Sequence, residues 1–149
     1  MTSKAQNINS VIKQRLETID GTGLFINSVT VLENIQRIDE SELPAVIVHR
    51  LGEKVEKVNS KRMDLSSDIA IDMHILASAD IETLIADVKR ALFLPDDMNL
   101  ALGSKNLAQE FNYSGLEVHQ REDGSISASA QITINCKYPE KYGDPDYVY

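Results

Sequence analysis

The spacing of apolar residues changes part-way along the stretch from Asp68 to Pro95. The first part has the two-residue period of a strand with one buried face, with apolar positions at Ile69, Ile71, Met73 and Ile75. The second part follows the helical repeat, with apolar positions at Ile81, Leu84, Ile85, Val88 and Leu92. Asp80 is a suitable N-cap and Pro95 a helix stop, so we predict a helix from Asp80 to Leu94. A long strand leading into a core-facing helix predicts a domain of two layers, with helices over a sheet.

Two further elements are predicted nearer the N-terminus. An amphipathic helix from Lys4 to Ile19 is indicated by one apolar stripe, formed by Ile8, Val11, Ile12, Leu16 and Ile19. The helix should end at Asp20-Gly21, because glycine readily adopts the left-handed conformation that follows a helix. A strand is predicted over Leu24–Leu32, with Phe25, Asn27, Val29 and Val31 on one face. The acidic stretch Glu33–Glu42 lacks glycine and proline, so we expect a loop with some local order.

The next strand, Ala45–Leu51, begins with four apolar residues in a row. A continuous apolar run favours a strand that is covered on both faces, near the middle of the sheet. The charged stretch Glu53–Leu65 then predicts the outer part of a long hairpin, which turns at Asn59-Ser60 and returns into the strand over residues 68–77. Because such a tip extends beyond its own core, it is typical of an arm that contacts another molecule.

This hairpin has a predicted register. If Val58 lies opposite Lys61, then Val46 lies opposite Met73 and Val48 opposite Ile71, so that apolar partners meet. A bulge at Gly52 would shift the register.

The C-terminal part of the chain predicts a second hairpin, with strands Leu116–Arg121 and Ser125–Tyr138. A three-residue loop with Gly124 in the left-handed position pairs Leu116 with Ala130 and Val118 with Ala128. The inward-facing positions of the last strand are Ile126, Ala128, Ala130, Ile132, Ile134, Cys136 and Tyr138. In the preceding segment, Met98–Leu102 is a short strand or helical turn, and the residues that anchor the next strand are Leu107, Phe111 and Tyr113.

These elements together predict the fold class and the domain organisation. The class is α+β, with a mostly antiparallel or mixed sheet of about five strands, one long hairpin, and two main helices packed against the sheet. Pro139 should end the last strand, so residues 1–138 form a single domain. Residues 139–149, which contain three of the five tyrosines, form a tail that is either flexible or docked on a neighbouring subunit.

Composition and charge narrow the classes of function. Cys136 is the only cysteine, which excludes an intrachain disulfide and a cysteine-cluster zinc site. No signal-peptide core and no apolar run long enough to span a bilayer is present, so we expect a soluble protein made in the cytoplasm. The net charge of −8 argues against tight nucleic-acid binding. The densest basic cluster, Lys54–Arg62, contains Glu56 and directly follows Glu53, and it is interpreted as a solvated face.

The sequence contains no complete nucleotide-binding or catalytic motif. Gly21-Thr22-Gly23 follows a predicted helix instead of opening one, and Gly103-Ser104-Lys105 lacks the spacing of a phosphate-binding loop. Cys136 faces inward and is interpreted as a core residue. In the predicted hairpin register, His49, Asp72 and His74 share one sheet face. They could bind a divalent metal or share a proton, or they could be ordinary polar residues at a sheet face or subunit contact.

Four segments in this order carry a resemblance to a known family: LPAVIVHRLG, RMDLSSDIAIDMHILA, DIETLIADVKRALF and YSGLEVHQREDGSISASAQITINCKY. The chain resembles the tail terminator proteins of long-tailed bacteriophages, of the minor tail protein U type. Phage neck and head–tail joining proteins share this architecture and stay an alternative. The resemblance implies a structural protein without catalysis or cofactors, located in the virion at the head-proximal end of the tail and made in the host cytoplasm.

The same resemblance implies the partners. They are sister copies in a homohexameric ring, the tail tube protein, and a head completion or neck protein, while DNA passes through the ring without specific binding and no membrane is involved. A ring requires heterologous contacts, in which one patch binds a different patch on the neighbour. We expect the projecting segments to supply them, through Glu33, Arg37, Glu40, Glu42, Lys54, Lys57, Lys61, Arg62, Tyr142, Tyr147 and Tyr149.

Overall fold

In the computed structural model, two helices lie over one face of a five-stranded mixed sheet. The structure describes residues 3–32, 40–59, 61–94, 101–102, 105–119 and 127–145. The elements are α1 Lys4–Glu17, β1 Thr30–Leu32, β2 Ala45–Val58, β3 Arg62–Leu76, α2 Ile81–Phe93, β4 Ala101–Leu102, β5 Lys105–Asn106, β6 Glu110–His119 and β7 Ser127–Lys141. The sheet order is β1-β2-β3-β7-β6, and β4 pairs separately with β5. The predicted two-layer α+β class is confirmed.

Both predicted helices form, with capped N-termini. The Asp80 side chain accepts a hydrogen bond from the backbone of Glu82 at the start of α2, as predicted. At the start of α1, Ser3 and Gln6 form a capping box, which the sequence analysis did not identify. Helix α1 ends at Glu17 instead of Ile19, although Gly21 has the predicted positive φ, of 79°.

The predicted strand over Leu24–Leu32 is wrong for most of its length. Only Thr30–Leu32 forms a strand, β1, which runs parallel to β2. The preceding residues form turns closed by an isolated bridge between Asp20 and Ser28. Two of their backbone N–H groups, those of Ile26 and Asn27, donate to the side chain of Asp87 in α2. A tertiary contact has therefore replaced the strand ladder.

The predicted register of the long hairpin is correct at its base and wrong at its tip. Val46 pairs with Met73 and Val48 with Ile71, but Val58 pairs with Met63 instead of Lys61. The connecting turn is longer than predicted. Two bulges in β2 account for the difference between base and tip, because each adds one residue to β2 that has no partner in β3. They lie between Arg50 and Gly52 and between Val55 and Lys57.

The inward face of β7 is as predicted, but its pairing with β6 is shifted. Leu116 pairs with Ile132 and Val118 with Ala130, two residues from the predicted partners. A shift of two keeps every side chain on its own face, which explains why the hydrophobic pattern could not distinguish the two registers. The predicted three-residue loop lies outside the described residues. Buried positions of this face are Ala130, Ile132, Ile134, Cys136 and Tyr138.

The prediction that Pro139 ends the last strand is wrong, because β7 continues to Lys141. The carbonyl of Lys137 accepts a hydrogen bond from Gln109, so Lys137 points its backbone groups towards β6. Backbone groups of alternate residues in a strand point to the same side, so those of Pro139 also point towards the β6 side. Because β6 begins opposite Lys137, no β6 residue lies beside Pro139, and its missing N–H costs no hydrogen bond between strands. Its carbonyl instead accepts a 2.6 Å hydrogen bond from the buried Lys4 ammonium.

The residues after Pro139 bond back to the same chain over the described part. Tyr142 N–H donates to the Lys61 carbonyl, and the Pro145 carbonyl accepts from Lys4 N–H. The division into a domain of residues 1–138 and a tail of residues 139–149 stays a prediction.

Candidate assembly surfaces

The outer part of the β2–β3 hairpin, residues 51–58 and 62–68, is here called the arm. Every residue of β2 from Leu51 to Val58 is exposed, as expected for a projecting segment. The β3 side is different, because it pairs with β7 and buries Leu65 and Ser67. The arm is therefore a three-stranded extension of the sheet. The prediction that this part of the hairpin buries no side chains is correct for β2 and wrong for β3.

The arm has an unpaired backbone edge along β2. Strand β1 pairs with β2 only over Ala45–Ile47, so within the described residues β2 has a single neighbour, β3, from Val48 to Val58. On the helix-bearing side this edge carries Val55 and Val58, which are 49% and 55% exposed. A row of free backbone groups with apolar side chains is a ready template for pairing with another strand.

The opposite face of the arm is charged. Lys54 and Lys57 lie there in register with Ser66 and Asp64 of β3. Arg62 is half-buried and its Nε lies 2.9 Å from Asp64 Oδ1, while Lys61 is exposed at the turn. The arm thus carries Val55 and Val58 on its helix-bearing face and charged residues of both signs on the other, where Lys137 Nζ also lies 3.5 Å from Glu56 Oε2.

The arm edge is joined to the body of the domain by hydrogen bonds. The Tyr138 hydroxyl bonds to the Glu53 carboxylate, and Arg50 Nη2 lies 3.0 Å from Glu53 Oε1. Burial, together with this carboxylate, raises the pKa of the Tyr138 hydroxyl, so it stays a proton donor to Glu53. The outer half of β2 is thereby held in a defined orientation despite its exposure.

The other edge of the sheet, β6, is also unpaired and partly apolar. In the described residues β6 pairs only with β7. Leu116 and Val118 lie on the helix-bearing side, 37% and 48% exposed, because their partners Ile132 and Ala130 face the core. Glu117 lies between them on the opposite face, and its side chain is 73% exposed. The two sheet edges therefore both carry exposed apolar side chains on the helix-bearing side of the sheet.

The loop over residues 22–28 presents a third apolar feature that sequence reasoning missed. Leu24 and Ile26 are 64% and 63% exposed. The loop is held by Asp87, which is fully buried and accepts hydrogen bonds of 2.8 to 3.1 Å from Ile26 N, Asn27 N and Asn27 Nδ2. The sequence did contain one signal for this loop contact, which is that Asp87 lies among the apolar positions of α2. A carboxylate buried there requires several hydrogen-bond donors from another segment.

The predicted histidine–aspartate group does lie on one face, opposite the helices. His49 Nε2 is 2.8 Å from Asp72 Oδ2, and Gln131 Nε2 donates to Asp72 Oδ1 at 2.7 Å. His74 lies across Ser129 from His119, beside a depression of about 350 Å³. The contacts with His49 and Gln131 thus occupy both carboxylate oxygens of Asp72. No group of three metal-ligating side chains is assembled within the described ranges.

The environment of His74 predicts a pH-dependent stability. Burial lowers its pKa in the folded protein, opposed by the carboxylate of Asp72 and assisted by His119, which itself lies 3.8 Å from Glu117. The unfolded chain then binds more protons than the folded one in the pH range just below 6.5, so the free energy of unfolding falls as the pH drops through that range. We expect His74→Gln to flatten this dependence in urea titrations between about pH 7 and pH 5. Identical pH profiles for both proteins would contradict the assignment.

The structure places four of the eleven predicted contact residues at the surface and does not test the role of any of them. Lys54, Lys57 and Lys61 are exposed, Tyr142 is 60% exposed, and Arg62 and Glu42 are half-buried. Glu40 belongs to a 3₁₀ turn, Glu40–Glu42, which agrees with the local order expected in that loop. The predicted contacts outside the described residues are Glu33, Arg37, Tyr147 and Tyr149.

Comparison with solved structures shows that other proteins share this fold. No family model and no curated protein matches the sequence. Thirty-four chains of solved structures match, among them a chain from the virion of the native gene transfer agent (GTA) particle. That match has a TM-score of 0.60 at 13% identity and covers 94% of this chain and 100% of the other. In addition, neither helix of the described part of the chain is long and apolar enough to cross a membrane.

Proposed function

We propose that this protein is a structural component of a phage-like virion and acts as a tail terminator, a ring that caps the tail tube. The observation that carries the proposal is the fold shared with a virion chain over that chain's full length. The resemblance of the four sequence segments to tail terminators supports the finer role. The protein then works by assembly and not by catalysis.

The distribution of exposed surface supports a ring. A closed ring needs two different patches on each subunit, placed so that the patch of one copy reaches the other patch of the next. The arm edge of β2 and the edge of β6 lie on opposite sides of β3 and β7 and both carry exposed apolar side chains. Such edges are usually blunted or covered in monomeric proteins, which favours an assembly that covers them.

The proposed ring has three kinds of partner. Sister copies form a hexamer, the tail tube protein binds one side, and a head completion or neck protein binds the other. The genome passes through the centre, where a net charge of −8 would repel the phosphates and let the DNA slide. The protein then resides at the head-proximal end of the tail, after synthesis in the host cytoplasm.

Native mass spectrometry and negative-stain electron microscopy of the purified chain test the ring. We expect a closed oligomer of about six copies with a central opening, and no stoichiometric metal by elemental analysis. A monomer or dimer that retains stoichiometric metal, and loses it on His74→Ala, would instead support a metal-dependent domain and overturn the proposal.

Tube length separates the terminator from a neck protein of the same fold. Co-expression with the tail tube protein of the same virion should yield capped tubes of limited length if the protein is a terminator. A neck protein would leave tube growth unchanged and would bind only after another component had capped the tube.

A further inference from the structure

We propose that the ring closes by a contact between the loop over residues 22–28 of one copy and the helix-bearing side of β6 in the next copy. This inference rests on the proposed ring function and names its subunit contact. The loop patch consists of Leu24 and Ile26, and the β6 patch consists of Leu116 and Val118. These four side chains are between 37% and 64% exposed. Both patches lie on the side of the sheet that carries the helices, because the loop is bonded to α2 and the β6 patch lies opposite core positions of β7.

The two patches lie on opposite sides of α2. Asp87 binds the loop, whereas Lys89, two residues later, lies over the Tyr113 ring of β6, with its Nζ 5.1 Å from the ring centroid. Two residues correspond to a rotation of about 200° around a helix, so the loop and β6 flank α2 from opposite directions. The sheet order agrees, because the loop leads into β1, which lies at the other end of the order from β6.

The strand pairings show that the two patches are also level along the strands. The row of paired residues that starts at Thr30, the first residue of β1, ends at His119 of β6 and runs through Ala45, His74 and Ser129. The loop therefore joins the sheet level with the end of β6 that carries Val118.

Helix α2 gives the same level for the loop. Asp87 lies six residues, about 9 Å, before Phe93, whose ring contacts Phe111 and Tyr113. Towards the start of α2, Leu116 lies about 7 Å beyond Tyr113 and about 14 Å beyond Phe111, as their partners in β7 show. A ring adds no translation along its axis, so contacting patches must lie at the same height along that axis. An axis that follows the strands meets this condition.

Charge complementarity favours a second copy of the chain as the occupant. Arg15 of α1 donates to the Leu92 carbonyl of α2, so this side of α1 faces α2. Glu17 is exposed and, two residues after Arg15, is turned about 200° away, to the side remote from β6. It lies close to the level of Lys89, which precedes Leu92 by three residues. Glu17 of one copy is thereby placed to meet Lys89 of the next, beside the two apolar patches, in a heterologous contact suited to closing a ring.

Disulfide trapping tests the contact. The double variant Leu24→Cys with Leu116→Cys should form an intermolecular ladder on mild oxidation, ending at the ring size. Within one copy α2, about 10 Å across, lies between the two positions, so they are too far apart for a disulfide. The native Cys136 is buried and burial raises its pKa to about 12, so it should not react. Leu24→Cys with Val58→Cys, which is exposed but lies at the tip of the arm, is the matched control and should give no ladder.

Charge reversal gives an independent test. Glu17→Lys should weaken the ring about two- to fivefold per contact at low salt, and adding Lys89→Glu should restore it. Glu56→Lys makes the same change of charge on the arm and should leave the ring unaffected. A ring that persists without the ladder and is insensitive to Glu17→Lys overturns this contact but leaves the proposed function standing. Absence of any ring in the unmodified protein overturns both.

Discussion

Replacing Asp87 with alanine should lower the free energy of unfolding by roughly 3 to 5 kcal/mol. The carboxylate is fully buried and accepts hydrogen bonds from Ile26, Asn27 and the Asn27 side chain, while Arg90 Nη1 lies 3.6 Å away. Removing it leaves several partly buried donors without an acceptor, and each such donor costs about 1 to 3 kcal/mol unless the loop rearranges.

Urea unfolding followed by circular dichroism, at one protein concentration, measures this effect. Asp87→Asn keeps one acceptor oxygen and should lose about half as much. Glu82→Gln is the matched control on the same helix: Glu82 is exposed in the first turn, so the change should cost less than about 1 kcal/mol. A loss below about 1 kcal/mol for Asp87→Ala would show that the loop does not depend on this carboxylate.

Phe111→Ala should destabilise the protein by about 3 to 5 kcal/mol through loss of core packing. Phe111 is fully buried in β6, its ring centroid lies 5.3 Å from that of Phe93, and the Arg15 guanidinium carbon lies 5.9 Å from the ring centre. Truncation removes the ring that stacks on Phe93 and leaves a cavity in the core beside Arg15.

Tyr113 provides a control on the same strand and the same face. It is 44% exposed and contacts Phe93 edge-on at 6.0 Å, so Tyr113→Ala should cost only about 1 kcal/mol. Thermal and urea unfolding of both variants would show the difference. Equal losses for the two substitutions would mean that Phe111 does not form part of a tightly packed core.

The two edges of the sheet link the fold to the proposed assembly. The arm is supported from within by β3 and β7 and by the Tyr138–Glu53 contact, so its exposed edge is presented in a fixed orientation. A rigid edge loses little conformational entropy when it pairs with a neighbour, which favours a defined subunit contact over a flexible one.

Hydrophobic periodicity was sufficient to predict the two helices, the central strand and the inward face of β7. Each of these elements buries one face, so the spacing of apolar residues reports directly on the secondary structure. The base register of the long hairpin was also predictable, because Val46 and Val48 have to meet apolar partners of β3. The shared face of His49, Asp72 and His74 followed from that register.

Other features depended on contacts between residues distant in the sequence. The loop before β1 is held by Asp87 about 60 residues later, and Pro139 stays in a strand only because β6 ends beside it. The β6–β7 register could not be chosen from the pattern, since a shift of two residues preserves every face.

The sequence alone therefore determined the two helices, the long strands, the class of fold and which face of these elements is buried, because these properties depend on local periodicity. Only the tertiary structure decided which strand edges have no partner among the described residues and which charged groups are enclosed. These properties depend on how far each neighbouring strand extends, as the ends of β1 and β6 show, and no local pattern encodes that length.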